Sequence, residues 1–397
     1  MRIVHIEDFF HPEAGYQINV LTKYQARAGN EVIIVTSEMD KIPEYLTSFF
    51  GKDSIQSKDE LFSQKNNIRI IRYPIYKYFS GRSIFKRGFK KMIDGLKPDM
   101  LFVHGDGTWA ALEFIRKYKK LKYGVIFDSH MLEMASVNPL SGLYRFFYKC
   151  FFTPIIKKNK LVFIRTQDDR YVEKCLGIPL SQAPFISHAT DTLLFQYNHN
   201  YRDEIREQYG IQKNETVVIY AGKMVESKGA DLLINAFQER FNTKKDIVLF
   251  LVGNISGEFG NLLNERIKKS KNKIVVAPTQ KYNDLAMYYS AADIAVFPKQ
   301  CSLSFYDVQA CGLPVVEEDN NINRERLSHG NGFCFAIDDV NDFRKQLEIL
   351  FNMSDNEFQM MKKNAIEYVN KNYSYSSIYK KYEEIITSEY IRQKRKQ

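Results

Sequence analysis

The chain has 397 residues, 44% of them hydrophobic, which suits two domains with full cores and excludes wholesale disorder. Its formal net charge of +10 favours an anionic partner without choosing among nucleotide phosphates, acidic lipid and nucleic acid. Five scattered cysteines (Cys150, Cys175, Cys301, Cys311, Cys334) lack CxxC spacing and read as reduced cytosolic thiols with no zinc site. Acids by Glu7, and no run of 18 uninterrupted apolar residues, speak against a signal peptide and a transmembrane helix.

RIVHI opens the chain as a short buried-type strand. HPEAGYQINVLTKYQARAGN then gives a loop and an amphipathic helix, and VIIVTS a second strand, which makes one βαβ unit. Gly15 opens that helix, either as a turn glycine or to let backbone approach a ligand. Residues 40–66 read as a long loop with a helical piece, and IRIIRYPIY as a strand. SIFKRGFKKMIDGLK reads as a basic helix, in which Lys86, Arg87, Lys90 and Lys91 alternate with Ile84, Phe85 and Phe89. Such a face suits either solvent or anionic lipid.

PDMLFVHGDGTWAALEFIRKY is strand, glycine loop and helix, and YGVIFDSHMLEM is the next strand. His104, Asp128 and His130 fall at consecutive strand ends, where a parallel sheet builds its sites. Residues 143–160 are aromatic and basic, and predict a helix broken at Pro154. APFISHATDTLLF predicts a last strand and turn. The alternation restarts at TVVIYAGKMVESKGADLLINAF, where Lys223 and Lys228 flank a strand end and a helix start suited to a diphosphate. DIVLFLVGN, KIVVAPTQKYNDLAMYYSAADIAVFP and SLSFYDVQACGLPVV continue it. A helix over 374–391 and a disordered basic tail close the chain. The fold class is α/β: two facing, doubly wound, Rossmann-like parallel-sheet domains. The expected spans are 1–195, 196–373 and a C-terminal helix with tail, 374–397, packing back on the N-terminal domain.

In order, GKMVESKGADLLINAF, APTQKYNDLAMYYSAADIAVFP, SLSFYDVQACGLPVV and HGNGFCF resemble the family 4 retaining glycosyltransferases of the GT-B fold. AGYQINVLTKYQARAGNEVIIVTS and SHATDTLLF agree with the family's N-terminal half and interdomain stretch. The resemblance implies that Lys223 and Lys228 hold the donor diphosphate, with Gly15 and the loop Ser302, Leu303 and Ser304 against phosphate and sugar. It places Asp307 on the donor ribose and His130 near the anomeric carbon, with His130 and Lys228 as the catalytic pair. Tyr16, His104 and Asp128 are then acceptor-side candidates. The chain departs from the family pattern in three places. Lys223 stands for an arginine and Asp307 for a glutamate. The first glutamate of the E-x7-E motif falls on Lys299, or on Cys301 if the loop is shifted.

The implied activity is transfer from a UDP- or GDP-linked sugar to a glycan acceptor, with no cofactor and no metal. The implied partners are that nucleotide-sugar, a glycan or polyprenyl-linked glycan acceptor and an anionic membrane surface, with no nucleic acid. The expected setting is cytoplasmic, peripheral on the inner face of the plasma membrane, in bacterial surface polysaccharide assembly. The missing acid also admits a catalytically impaired homologue that binds sugar nucleotide or acts as a scaffold.

Overall fold

The computed structural model describes residues 1–43, 54–133, 141–299 and 301–396. The chain forms two compact units, Met1–His188 with everything from Tyr375 on, and Ala189–Ser374.

The first unit is built on a six-stranded sheet in the order β3-β2-β1-β6-β7-β8. The strands are β1 (Arg2–Glu7), β2 (Glu31–Ser37), β3 (Ile68–Tyr73), β6 (Met100–Val103), β7 (Gly124–Ser129) and β8 (Val162–Arg165), and every pairing is parallel. Alternation along β1 sends Val4 and Ile6 into the main core with Leu101, Val103 and Phe127. His5 points to the opposite face, where helix Gln17–Arg27 presents Gln25. The closing helix, Tyr375–Lys394, buries Tyr375, Ile378, Tyr382 and Ile386, and Tyr375 stacks on Tyr24 at 5.9 Å.

The second unit repeats the design as β11-β10-β9-β12-β13-β14. Its strands are β9 (Thr216–Ala221), β10 (Ile247–Val252), β11 (Lys273–Ala277), β12 (Ile294–Phe297), β13 (Val315–Glu318) and β14 (Gly332–Phe335). Val217 and Ile219 enter one core layer, while Val218 and Tyr220 enter the other. Helices cover both faces, so β10 reads as an unbroken apolar run, IVLFLV. In each sheet the strand order reverses beside the first strand, at β1/β6 and at β9/β12. Loops leaving those strand ends diverge and open a crevice for ligand.

Several local expectations are corrected. Ile84 and Phe85 lie on β5 (Arg82–Phe85), which pairs antiparallel with β4 (Ile75–Phe79), and the helix begins only at Phe89. Ser80 and Gly81 both take positive φ, the geometry of a tight two-residue hairpin turn. The helical stretch does break beside Pro154, as expected, into two helices. Pro154 sits in the first turn of the helix Thr153–Asn159, where a missing N–H costs nothing, and the preceding helix ends at Phe151. APFISHATDTLLF forms no strand and contributes two isolated bridges, Arg165 with Phe185 and Thr190 with Ser374. The basic tail is ordered at its start: Arg392 pairs with Glu389 at 2.6 Å and donates to the Asn159 carbonyl at 2.9 Å. Residues 55–66 form a full helix, and 44–53 lie outside the described residues.

Candidate functional site

In the first unit, three of the singled-out side chains meet at the carboxyl edge of the sheet. His104 follows β6, and Asp128 lies near the end of β7 with His130 just beyond it. The Asp128 carboxylate is fully buried and can only accept. It takes hydrogen bonds from His104 Nδ1 at 2.6 Å and from the Gly105 amide at 2.7 Å, and it faces His130 Nε2 at 3.3 Å. Behind His104 the chain continues to His5 at 2.9 Å and on to Gln25 at 2.7 Å. Thr166 Oγ1 stands 3.1 Å from the Ser129 carbonyl and 2.9 Å from His130 Nδ1. A hydroxyl has one proton, so if it goes to the carbonyl, His130 Nδ1–H must donate to Thr166.

Both His130 nitrogens then donate, which favours the imidazolium. Burial works against that charge, but Asp128 outweighs it and raises the His130 pKa. Burial would likewise raise Asp128, yet the His130 and His104 imidazoles hold its carboxyl well below the usual range. Burial, with His104 adding to it, lowers His5 to about 3, so that ring is neutral. His104, Asp128 and His130 place ligand atoms within 4.8 Å of one another, a set able to hold a metal ion. Their present contacts are those of a hydrogen-bonded charge network. His130 is the exposed member, at 38% of its side chain. Tyr16 precedes helix Gln17–Arg27 and is also exposed, with Gly15 half-buried beside it.

In the second unit, Lys223 follows β9 and is exposed, and Lys228 is half-buried in a short turn ending at Gly229. Gly229 has φ +71°, and a Cβ there would meet Lys299 Cγ at 2.9 Å and Pro298 Cβ at 3.0 Å. The backbone of the Lys228 turn is thus pressed against the loop leaving β12, a contact only glycine permits. Burial lowers the Lys228 pKa, and Lys223 adds to this against Cys301. Lys299, at the strict acidic spacing, turns away into an ion pair with Asp338 at 2.6 Å. Ser302 Oγ accepts from the Ser304 amide at 3.2 Å, and Leu303 is 49% exposed.

Asp307 is buried and accepts from Thr190 Oγ1 at 2.6 Å; burial pushes its pKa up to about 7, against that bond. The helices after the two loops, Ala230–Ala236 and Ser304–Ala310, have only seven residues each. Helices this short add little dipole at these loops. Sequence reasoning missed Glu7, Thr166 and His188 near His130, and Glu317 and Arg326 beneath the 302–304 loop. Glu7 could have been found as a strand-end acid; a single sequence carries no signal for the others.

Two doubly wound parallel units in succession define the GT-B class of architecture. Solved structures agree: a glycosyltransferase from Rickettsia africae matches with TM-score 0.75 at 14% identity, covering 98% of each chain. HepE of Anabaena, solved with UDP and glucose, matches with TM-score 0.72 at 14% identity over 98% of this chain and 100% of its own. Residues 201–368 match the family model described as Glycosyl transferases group 1. Among curated relatives, the D-inositol 3-phosphate glycosyltransferase of Segniliparus rotundus is 33% identical over 28% of this chain and 26% of its own length. The lipopolysaccharide 1,2-N-acetylglucosaminetransferase of Salmonella typhimurium is 24% identical over 47% of this chain and 52% of its own. The chain thus spans about a quarter to a half of the curated relatives it matches.

Asp128→Asn should lower the His130 pKa, read from its ring-proton NMR titration, and destabilise the fold by about 3 kcal/mol at pH 7. Asp128 is depressed on folding, so its contribution is complete above about pH 4 and is lost as pH falls below that. The stability gap between wild type and variant should shrink in acid. An unmoved His130 titration would contradict the network.

Proposed function

We propose that the protein is a retaining glycosyltransferase that moves a sugar from a nucleoside diphosphate onto a glycan acceptor. The observation that carries this is the joining of Lys228–Gly229 to the β12 loop at the switch point of a group 1 module. Fixed ammonium groups and loop amides there suit the charge that develops on a departing diphosphate. HepE, solved with UDP and glucose, supports a sugar nucleotide as the donor class.

Attack would come from the face the leaving group vacates, with the leaving phosphate taking the acceptor proton. That route needs neither a carboxylate nucleophile nor a metal, because the lysines and amides carry the leaving-group charge. His130, raised in pKa and exposed, would donate to an oxygen of the transferred sugar. The first unit would supply the acceptor side through the exposed Tyr16, with buried His104 and Asp128 acting through His130. Lys299 turned into Asp338, with no acid at the expected spacing, favours a second reading: a homologue that binds sugar nucleotides without turnover.

The acceptor is proposed to be lipid-linked, at the inner membrane face, in surface polysaccharide synthesis. The Salmonella lipopolysaccharide transferase supports that setting. The helix Ser141–Phe151 exposes Leu143, Phe146, Phe147 and Phe151, an i, i+3, i+4, i+8 stripe along one face. A separate groove of about 660 Å³ is lined by Lys86, Arg87, Lys91, Arg116 and Trp109. An apolar stripe and a basic groove on one unit suit peripheral binding to anionic lipid. Among the described residues no helix is long and apolar enough to cross a membrane.

With a panel of UDP- and GDP-sugars, wild type should release nucleoside diphosphate, and excess EDTA should leave the rate unchanged. Lys228→Ala should lower kcat/KM for the donor about a hundredfold. Binding without release across the panel would favour the second reading, and a rate restored only by added divalent cation would contradict metal independence. The protein should co-sediment with phosphatidylglycerol vesicles and far less with phosphatidylcholine. Replacing Phe146, Phe147 and Phe151 by serine should abolish that binding; unchanged sedimentation would remove the helix from the membrane role.

A further inference from the structure

The 302–304 loop rests on a buried cation. Arg326 closes the helix Asn321–Arg326 and is 3% exposed. Its Nη1 donates to the Ser302 carbonyl at 3.0 Å, and its guanidinium carbon stands 5.2 Å and 4.9 Å from the ring centres of Phe305 and Tyr306. One planar side chain therefore braces the loop and the start of the helix after it. Its Nε has no hydrogen-bond partner among the described residues.

The acid that faces it does not close on it. Glu317, on β13, is fully buried, and neither carboxyl oxygen has a hydrogen-bond partner among the described residues. Burial pushes the Glu317 pKa up to about 8, with Arg326 pulling the other way, so at neutral pH the carboxyl is mostly uncharged. Cys301 and Cys334 also face this pair, and burial pushes both thiols up, so neither supplies an anion at pH 7. For Arg326, burial works against the charge, but its pKa stays raised, with Tyr306 the main group favouring the cation, and the guanidinium keeps its charge. A buried cation without an ionised partner is costly to hold. Here it lies directly under the loop facing Lys228, in a chain whose Lys223 offers no guanidinium fork and whose expected acid is absent.

We propose that Arg326 is a positioning residue for the donor diphosphate, holding the Ser302 carbonyl inward so that the loop amides face the phosphates and adding its positive field beneath them. Glu317 sets that field: neutral, it leaves the cation uncompensated; ionised, it cancels it. The inference rests on the donor-site reading above.

The test is calorimetric binding of UDP and GDP, against uridine and guanosine, with donor KM and kcat measured in parallel. Arg326→Met should weaken binding of the preferred diphosphate about tenfold and raise donor KM, with nucleoside affinity and kcat little changed. Arg326→Lys should recover part of the loss, keeping charge but not the fork. Glu317→Gln is nearly isosteric and should match wild type at pH 7. At pH 9 it should bind the diphosphate about threefold tighter than wild type, whose carboxyl has by then ionised. A folded Arg326→Met variant with unchanged diphosphate affinity overturns the proposal. So does the absence of a pH 9 difference for Glu317→Gln, which decides the matter if Arg326→Met does not fold. If wild type binds neither diphosphate, the donor-site reading falls with it; if wild type binds and the variants do not differ, this inference alone falls.

Discussion

The site chemistry depends on one topological constraint, the reversal of strand order beside the first strand of each parallel sheet. Every strand in these sheets spends its backbone hydrogen bonds on parallel neighbours, so polar groups become available only where the strands stop. At β1/β6 and β9/β12 the connections leave in opposite directions, so polar groups collect at those strand ends. His104 and the Lys223 stretch stand at those edges for the same reason, in two units built from different sequences.

The two edges are electrostatically unlike. In the first unit charge is internally matched: Asp128 is held ionised by two imidazoles and an amide, and that matching fixes His130 in orientation and protonation. In the second unit cationic side chains gather at one loop. Lys223, Lys228 and Arg326 crowd a loop whose nearby acids are neutralised by burial or, as with Asp338, engaged by Lys299. A matched network suits placing a proton; a gathering of cations suits an anion that arrives with the substrate.

The sheet strands were legible because their apolar runs are long and bounded by turn residues, while the GT-B resemblance rested on the motifs between them. The strand-end positions of His104, Asp128 and Lys223 were legible for the same reason. What could not be read was set by contacts distant in sequence. Ile84 and Phe85 fit a helical period until the Ser80–Gly81 turn folds them onto β4. Arg392 looks like part of a solvated basic tail until Asn159 accepts from it across the fold. Glu317 and Arg326 look like ordinary surface charges, one in an acidic run and one in RER, and only packing buries both under the loop. The bond of Asp307 to Thr190, far along the chain, was likewise invisible to spacing.

The central claim is that the second unit recognises a diphosphate by charge. Titrating the full-length protein with a nucleoside diphosphate and with the matching nucleoside, at low and at high salt, measures this most directly. The diphosphate should bind far more tightly than the nucleoside at low salt, and raising salt should erode that advantage while leaving the nucleoside unaffected. Equal affinities for the two, or a diphosphate affinity indifferent to salt, would contradict the account.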